Sequence, residues 1–125
     1  MKRDMELMRK ILFAIEQQYK PGDGMIFCLQ VDGFDMNEVA EHCDLLFQQK
    51  LIKLYEATWA DHGILYFQVG NLSSQGFDYL ELIRNDQVWL KTTEEIKKKK
   101  LPQTIEGLAK IAGIFTGEVI KSINS

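Results

Sequence analysis

The segment "LIKLYEATWADHGILYFQV", residues 51–69, constrains the fold of this chain more than any other feature. Two arms rich in aromatic and β-branched residues flank Ala60-Asp61-His62-Gly63. A turn that contains glycine between two such arms predicts an antiparallel β-hairpin, which we expect to turn at Asp61-His62-Gly63. Leu72 follows closely, and we expect it to enter the core just before a helix. A helix through residues 54–68 would contradict this interpretation.

The hairpin is preceded by signals for two helices and a strand. Apolar residues recur at helical spacing from about Arg3 to Tyr19. Residues 25–31, "MIFCLQV", alternate as in a short strand with one face more buried than the other. Asp35, with Glu38 three residues later, predicts a capped helix that ends near Lys50.

The segment after the hairpin predicts three more helices. A hydroxyl side chain at Ser73 or Ser74 can cap the first of them. Asn85-Asp86 is a junction to the next, which ends in the run from Lys97 to Lys100, where positive charge complements the helix dipole. After Leu101-Pro102, an amphipathic helix is predicted from about Thr104 to Ser122.

The order of these elements favours one fold class. Helix, short strand, helix and β-hairpin is the order of a winged-helix domain, so we predict a small α+β, winged-helix-like fold followed by C-terminal helices. We assign the winged-helix-like domain to residues 1–100. Residues 101–125 then form an amphipathic helix that packs on this domain or on a partner. A chain of 125 residues can bury about two thirds of its unfolded surface.

Several stretches of the chain resemble a known family. They are the opening Met1-Lys2-Arg3-Asp4-Met5, "HCDLLFQQKLI" at residues 42–52 and "LSSQGFDYLELIRNDQVWLKT" at residues 72–92. Together they resemble the bacterial and phage family filed as domain of unknown function 2513, and the run from Ile83 to Trp89 is the most specific part. Phe77-Asp78 replace a His-Glu pair that the family favours. The resemblance covers most of the first 100 residues and implies the fold and a bacterial or phage setting. It implies no activity and no site residues.

Residues that often carry chemistry are present without the spacing that chemistry needs. His42 and Cys43 are adjacent, so they point about 100° apart on a helix, and Cys28 and His62 lie on other elements. We therefore expect no metal or other cofactor, with Cys43 buried, His42 partly exposed and His62 at the hairpin tip. The chain also lacks a Gly-x-Ser-x-Gly elbow and a Gly-rich phosphate loop. We predict that the protein is not an enzyme, and the remote alternative is an enzyme whose site has no recognisable motif.

The distribution of charge argues against DNA recognition by the expected helix. Residues 21–86 carry a net charge of −8, whereas residues 1–20 carry +2 and residues 87–125 carry +3. Residues 36–49, which would form the recognition helix, contain three acidic residues and no Lys or Arg. The alternative is a DNA-associated transcriptional regulator whose basic termini contact phosphates. The residues for such contact are Lys2, Arg3, Arg9, Lys10, Lys97, Lys98, Lys99 and Lys100.

The C-terminal helix is the candidate partner surface. Its apolar residues follow the three-four spacing of a helix pair, and they are Ile105, Leu108, Ala112, Phe115 and Val119. This stripe either closes a homodimer or folds back on the core of its own chain.

Taken together, these features favour a non-catalytic binding module that acts through protein–protein interaction in a bacterial or phage regulatory setting. Two cysteines do not form the disulfide framework of a secreted protein. The first residues lack the pattern of a signal peptide, and no apolar stretch approaches the roughly 20 residues that span a bilayer. We therefore expect a cytoplasmic protein that binds no membrane.

Overall fold

The computed structural model describes residues 1–124, and it describes their side chains except those of Val119 and residues 122–124. Within this range, five helices and a three-stranded antiparallel sheet confirm the predicted α+β class. The elements are α1 (Met5–Gln18), β1 (Ile26–Phe27), α2 (Met36–Gln48), β2 (Tyr55–Ala60), β3 (Gly63–Val69), α3 (Ser74–Ile83), α4 (Asp86–Lys99) and α5 (Ile105–Asn124).

The chain divides into two compact units, Met1–Phe77 and Asp78–Ser125, and the boundary falls within α3. Each unit is described by itself below. A compact unit is not by itself an independently folding domain. The division after residue 100, inferred from the sequence, therefore stays a prediction.

In the first unit, α1 begins where a carboxylate caps it. Asp4 has extended backbone, and its Oδ1 accepts hydrogen bonds from the backbone N–H groups of Glu6 (3.0 Å) and Leu7 (3.1 Å). The helix then buries one apolar stripe completely, which includes Leu7, Ile11 and Ile15. Because helix side chains three or four apart share a face, this stripe packs α1 against α2. The helix starts two residues later than the sequence predicted, because Asp4 serves as the cap.

The second helix follows the same principle. The Oδ1 of Asp35 accepts a hydrogen bond from the backbone N–H of Glu38 at 2.9 Å, which confirms Asp35 as the predicted cap. The buried side of α2 carries Val39, Cys43 and Leu46. The helix ends at Gln48, and the left-handed backbone that follows at residue 50 (φ 63°) turns the chain toward the hairpin.

The sheet has the order β1-β3-β2, and the predicted hairpin is confirmed. Ala60 pairs with Gly63, so Asp61 and His62 form a two-residue loop. The strand predicted at residues 25–31 is shorter than expected, since only Ile26–Phe27 form β1. Cys28 has a φ of 50°, and this left-handed backbone ends the extended conformation directly after β1.

The junction between the hairpin and α3 is closely packed. Leu72, which is 1% exposed, lies next to Ile52 in an isolated β-bridge, as the sequence predicted for its place in the core. The hydroxyl of Ser73 accepts a hydrogen bond from the N–H of Gly76 (3.0 Å) and donates one to the carbonyl of residue 50 (2.6 Å). A Cβ added at Gly76 would lie only 2.0 Å from the carbonyl oxygen of Leu51. The hydrogen bonds of its hydroxyl therefore explain serine at position 73, and the lack of space for a side chain explains glycine at position 76.

The second unit is helical in its described part. The side chain of Asn85 caps α4 by accepting hydrogen bonds from the N–H groups of residues 87 (2.8 Å) and 88 (3.1 Å). Trp89 is buried, and α5 packs against α4 with Leu108 and Ala112 fully buried. The α4 helix ends at Lys99, and Lys100, which caps it, adopts left-handed backbone. None of the described helices has the length and apolar content that crossing a membrane requires.

Candidate functional site

The first unit has a preformed surface where the start of α2 meets the tip of the hairpin. The side-chain oxygen of Asn37 accepts a hydrogen bond from the backbone N–H of Ile64 at 2.8 Å. A Cβ at Gly63 would lie 2.8 Å from the same oxygen, so a larger residue there would have to displace the Asn37 amide from this hydrogen bond. The contact joins the hairpin tip to α2.

A cleft of about 400 Å³ lies beside this contact. Met36 (39%) and Leu65 (60%) line this cleft with exposed side chains, and Trp59 (44%) on β2 is exposed as well. We name these three residues and the cleft the α2–hairpin surface. The cleft is lined by Met36, Asn37, Ala60, His62, Gly63, Ile64 and Leu65. Groups of exposed apolar side chains of this kind mark interaction surfaces.

The exposure of Leu65 has a local cause. Thr58 pairs with Tyr66 and Trp59 pairs with Ile64, so Leu65 is an extra residue opposite the β2 strand. Such a bulge re-aims side chains and increases the local twist of a hairpin. The sequence alone predicts alternation through the whole strand and gives no signal for this irregularity.

Carboxylates flank the α2–hairpin surface. Burial raises the pKa of the Tyr55 hydroxyl to about 12, and the nearby charges of Asp44 and Glu41 raise it in the same direction. A hydrogen bond with the Asp35 side chain raises the pKa of Glu38, because two carboxyl groups at the start of α2 must share a proton or repel. Residues 36–49 contain no Lys or Arg. The carboxylates of Glu41 and Asp44 therefore form a negative rim along α2.

His42 makes structural hydrogen bonds and is not placed as a metal ligand. It was expected to be partly exposed, and this is wrong, since it is only 1% exposed. Its Nε2 accepts a hydrogen bond from the backbone N–H of Asp4 (2.9 Å), and its Nδ1 lies 2.8 Å from the carbonyl oxygen of Glu38. This pair of partners requires a neutral ring with the hydrogen on Nδ1. The ring therefore connects the start of α1 to α2.

The remaining residues considered for metal binding or nucleophilic chemistry lie apart. Cys43 is fully buried, and burial raises the pKa of its thiol, which disfavours the reactive thiolate. Cys28 is half-buried at the end of β1, and His62 is exposed at the hairpin tip. Among residues 1–124, no group of three or more His, Cys, Asp or Glu side chains is arranged to bind a metal ion.

The basic residues fall in both units. Lys2 and Arg3 are exposed near the N-terminus, and the Nζ of Lys10 lies 5.3 Å from the centroid of the Phe34 ring. Arg9 is largely buried, and its guanidinium lies 5.0 Å from the centroid of the Phe13 ring. The lysines at 97–100 are exposed at the end of α4 in the second unit, where Lys99 pairs with Glu95 at 2.6 Å. A single phosphate-binding patch formed by both groups stays a prediction.

The apolar stripe of α5 is partly buried within its own unit. Leu108 and Ala112 are fully buried, whereas Ile105 and Phe115 are half-buried. The side chain of Val119 lies outside the described residues. A homodimer closed by this stripe stays a prediction.

Replacing Phe115 with glutamate tests both interpretations of the stripe. Because Leu108 and Ala112 are already buried in the monomer, we expect a lower melting temperature and an unchanged molecular mass, since the charge would be placed among apolar side chains. Light scattering and a thermal melt provide the two measurements. Conversion of a dimer into a folded monomer would instead show that the stripe is an intermolecular seam.

The architecture defines a small α+β protein with a first unit of helices and a β-hairpin and a second unit that is helical in its described part. The chain belongs to the family described as "Hypothetical protein (DUF2513)", whose model matches residues 2–102. It is also similar to a Haemophilus influenzae protein described as "Uncharacterized protein", with 32% identity over 122 residues that cover 96% of this chain and 99% of the relative. No solved structure matches the chain. These matches confirm the family that the sequence resemblance indicated.

Proposed function

We propose that this protein is a non-catalytic, winged-helix-like module that binds a protein partner through its α2–hairpin surface. One observation carries the proposal. The α2 helix, which would read DNA in a winged-helix domain, has acidic residues and lacks Lys and Arg. Its first residue, Met36, lines a cleft together with Leu65 of the hairpin, and the side chains of Met36, Leu65 and Trp59 are all exposed. A bacterial or phage regulatory setting and a cytoplasmic location are part of the same proposal.

The charge of this surface favours protein over duplex DNA. Phosphates attract Lys and Arg, and base edges are most often read by Arg, Asn or Gln. On α2, Glu41 and Asp44 would repel a phosphate backbone, and the amide of Asn37 is already hydrogen-bonded to the hairpin. Aromatic residues and methionine, in contrast, are enriched in protein interfaces.

A matched pair of variants tests protein binding. We expect the tagged protein, expressed in its native host, to copurify with a stoichiometric protein partner. The Leu65→Ser substitution should abolish this copurification. Leu90→Ser is the control, because Leu90 is 58% exposed but lies on α4 in the second unit. Equal recovery of every copurified protein with both variants would refute a role for the α2–hairpin surface. Circular dichroism confirms that each variant is folded.

The second candidate function is DNA association through the basic residues, which the exposed lysines at 97–100 favour. In this case, we expect weak affinity for duplex DNA at physiological salt, measured by fluorescence anisotropy, with a steep salt dependence. Changing these four lysines to glutamine should reduce that binding, whereas substitutions at Glu41 or Asp44 should have little effect. Tight, sequence-specific binding that depends on residues 36–49 would contradict both candidate functions.

A further inference from the structure

We infer that the segment bound by the α2–hairpin surface is cationic and amphipathic, with an apolar side chain in the cleft and Lys or Arg side chains facing Glu41 and Asp44. This inference rests on the proposed function and adds the chemistry of the partner. The apolar cleft, the carboxylates of α2 and the hydrogen bond between α2 and the hairpin support it.

The apolar component comes from the cleft. Met36 and Leu65 are both exposed and both line it, so an apolar side chain placed there would remove their surfaces from water together. Trp59 is 44% exposed on the neighbouring strand and extends the apolar area beyond the cleft. Burial of apolar area contributes roughly 25 cal/mol per Å² before the cost of association, so these side chains provide the natural anchor point.

The cationic component comes from charge complementarity. Glu41 and Asp44 lie three residues apart on α2, so they are neighbours on the helix surface, and both are half-exposed. Positions 37, 41 and 44 are four and three residues apart, so both carboxylates share the face of α2 on which Asn37 bonds to the hairpin. Their charges also raise the pKa of the Tyr55 hydroxyl on β2. Residues 36–49 supply no Lys or Arg to balance them. A partner with Lys or Arg at this position would neutralise the rim, whereas an acidic partner would be repelled.

Aromatic side chains on this side of the protein suit the same partner. Tyr55 lies beside Phe47, with ring centroids 6.4 Å apart. Tyr55 and Trp59 are four residues apart on one strand and lie on the same face by the two-residue alternation. Aromatic faces attract Lys and Arg side chains, so carboxylates and aromatic rings together favour a cation over a neutral polar group.

A contact between α2 and the hairpin is already formed before a partner binds. The side-chain oxygen of Asn37 accepts a hydrogen bond from the N–H of Ile64 at 2.8 Å, which joins the hairpin tip to α2. Contacts formed before association reduce the conformational entropy that binding costs.

Two synthetic peptides test the inference on the full-length protein. Both are amphipathic and have identical leucine positions, but one has lysine and the other glutamate at every polar position. We expect the lysine peptide to shift the NMR signals of the Trp59 indole and the methyl groups of Met36 and Leu65. Its Kd should rise about tenfold between low and moderately high salt, because exposed charges are screened. The glutamate peptide should produce no shifts.

A double variant and its control separate specific binding from general attraction to an acidic protein. Glu41→Gln with Asp44→Asn should weaken lysine-peptide binding about fivefold or more, given two lost charge pairs. Glu94→Gln with Glu106→Gln changes the net charge equally on exposed sites of the second unit and should leave the Kd unchanged. Equal effects of the two double variants, equal binding of both peptides, or no binding by either peptide would overturn the inference.

The outcome also separates this inference from the proposed function. If no lysine peptide binds but Leu65→Ser still abolishes recovery of the native partner, the surface binds protein and only the cationic chemistry is wrong. If Leu65→Ser changes neither the recovery of the native partner nor the binding of the lysine peptide, the proposed function itself is wrong.

Discussion

Replacing Gly76 with alanine should lower the free energy of unfolding by about 3 kcal/mol or more, because the new methyl group would overlap the backbone. The added Cβ would lie 2.0 Å from the carbonyl oxygen of Leu51. That carbonyl accepts a hydrogen bond from the N–H of Ser73 at 3.0 Å, and the N–H of Leu51 donates to the carbonyl of Leu46 at 3.0 Å. The oxygen therefore cannot move away without disturbing the junction between α2, the hairpin and α3.

Chemical denaturation followed by circular dichroism measures this effect, and Gly113→Ala is the matched control. Both glycines lie in helices, but a Cβ at Gly113 would have no atom within 4 Å. There, alanine should raise stability by about 0.5–1 kcal/mol through helix propensity. If the two substitutions had the same effect, the close contact at Gly76 would not be a determinant of the fold.

Replacing His42 with leucine should cost about 2 kcal/mol of stability, although leucine is more apolar and similarly buried. The substitution removes the acceptor of the Asp4 backbone N–H, which lies 2.9 Å from Nε2 in the native protein. It leaves the N–H of Asp4 partly buried and without that partner, at the residue whose side chain caps α1. Hydrogen exchange should accordingly increase most in the first turn of α1.

The control for this prediction is His62→Leu at the exposed hairpin tip, which should change stability by less than about 0.5 kcal/mol. A His42→Leu protein as stable as the wild type would indicate that water or a shift of the chain satisfies the Asp4 amide. Uniform loss of protection across both helices would show that the contact stabilises the whole first unit rather than the helix start.

The features that sequence predicted well depend on neighbours along the chain. Asp35 caps α2 because an extended residue with a short carboxylate can reach the N–H three residues later. The hairpin follows from two β-prone arms around a tight turn. Ser73 or Ser74 was predicted to cap α3, and the hydroxyl of Ser73 accepts the hydrogen bond from Gly76. Such local rules need no knowledge of the tertiary structure.

The features that sequence reasoning missed depend on distant contacts. His42 lies on the buried side of α2 because it is paired with Asp4, 38 residues earlier in the chain. Met36, the first residue of α2, is 39% exposed beside the hairpin, which the periodicity of the helix does not reveal. The amide of Asn37 was not singled out, since its partner Ile64 is 27 residues away. The candidate surface was therefore not predictable in detail, because tertiary contacts determine which side chains surround it.

The contact between Asn37 and Gly63 has an evolutionary consequence. A larger residue at position 63 would meet the Asn37 amide, and an insertion in the two-residue loop would displace the N–H of Ile64 from it. We therefore expect positions 37 and 63 to vary together among family members. A chain without glycine at position 63 should have a side chain smaller than asparagine at position 37. Coupled substitution of this kind would show that α2 and the hairpin have evolved together.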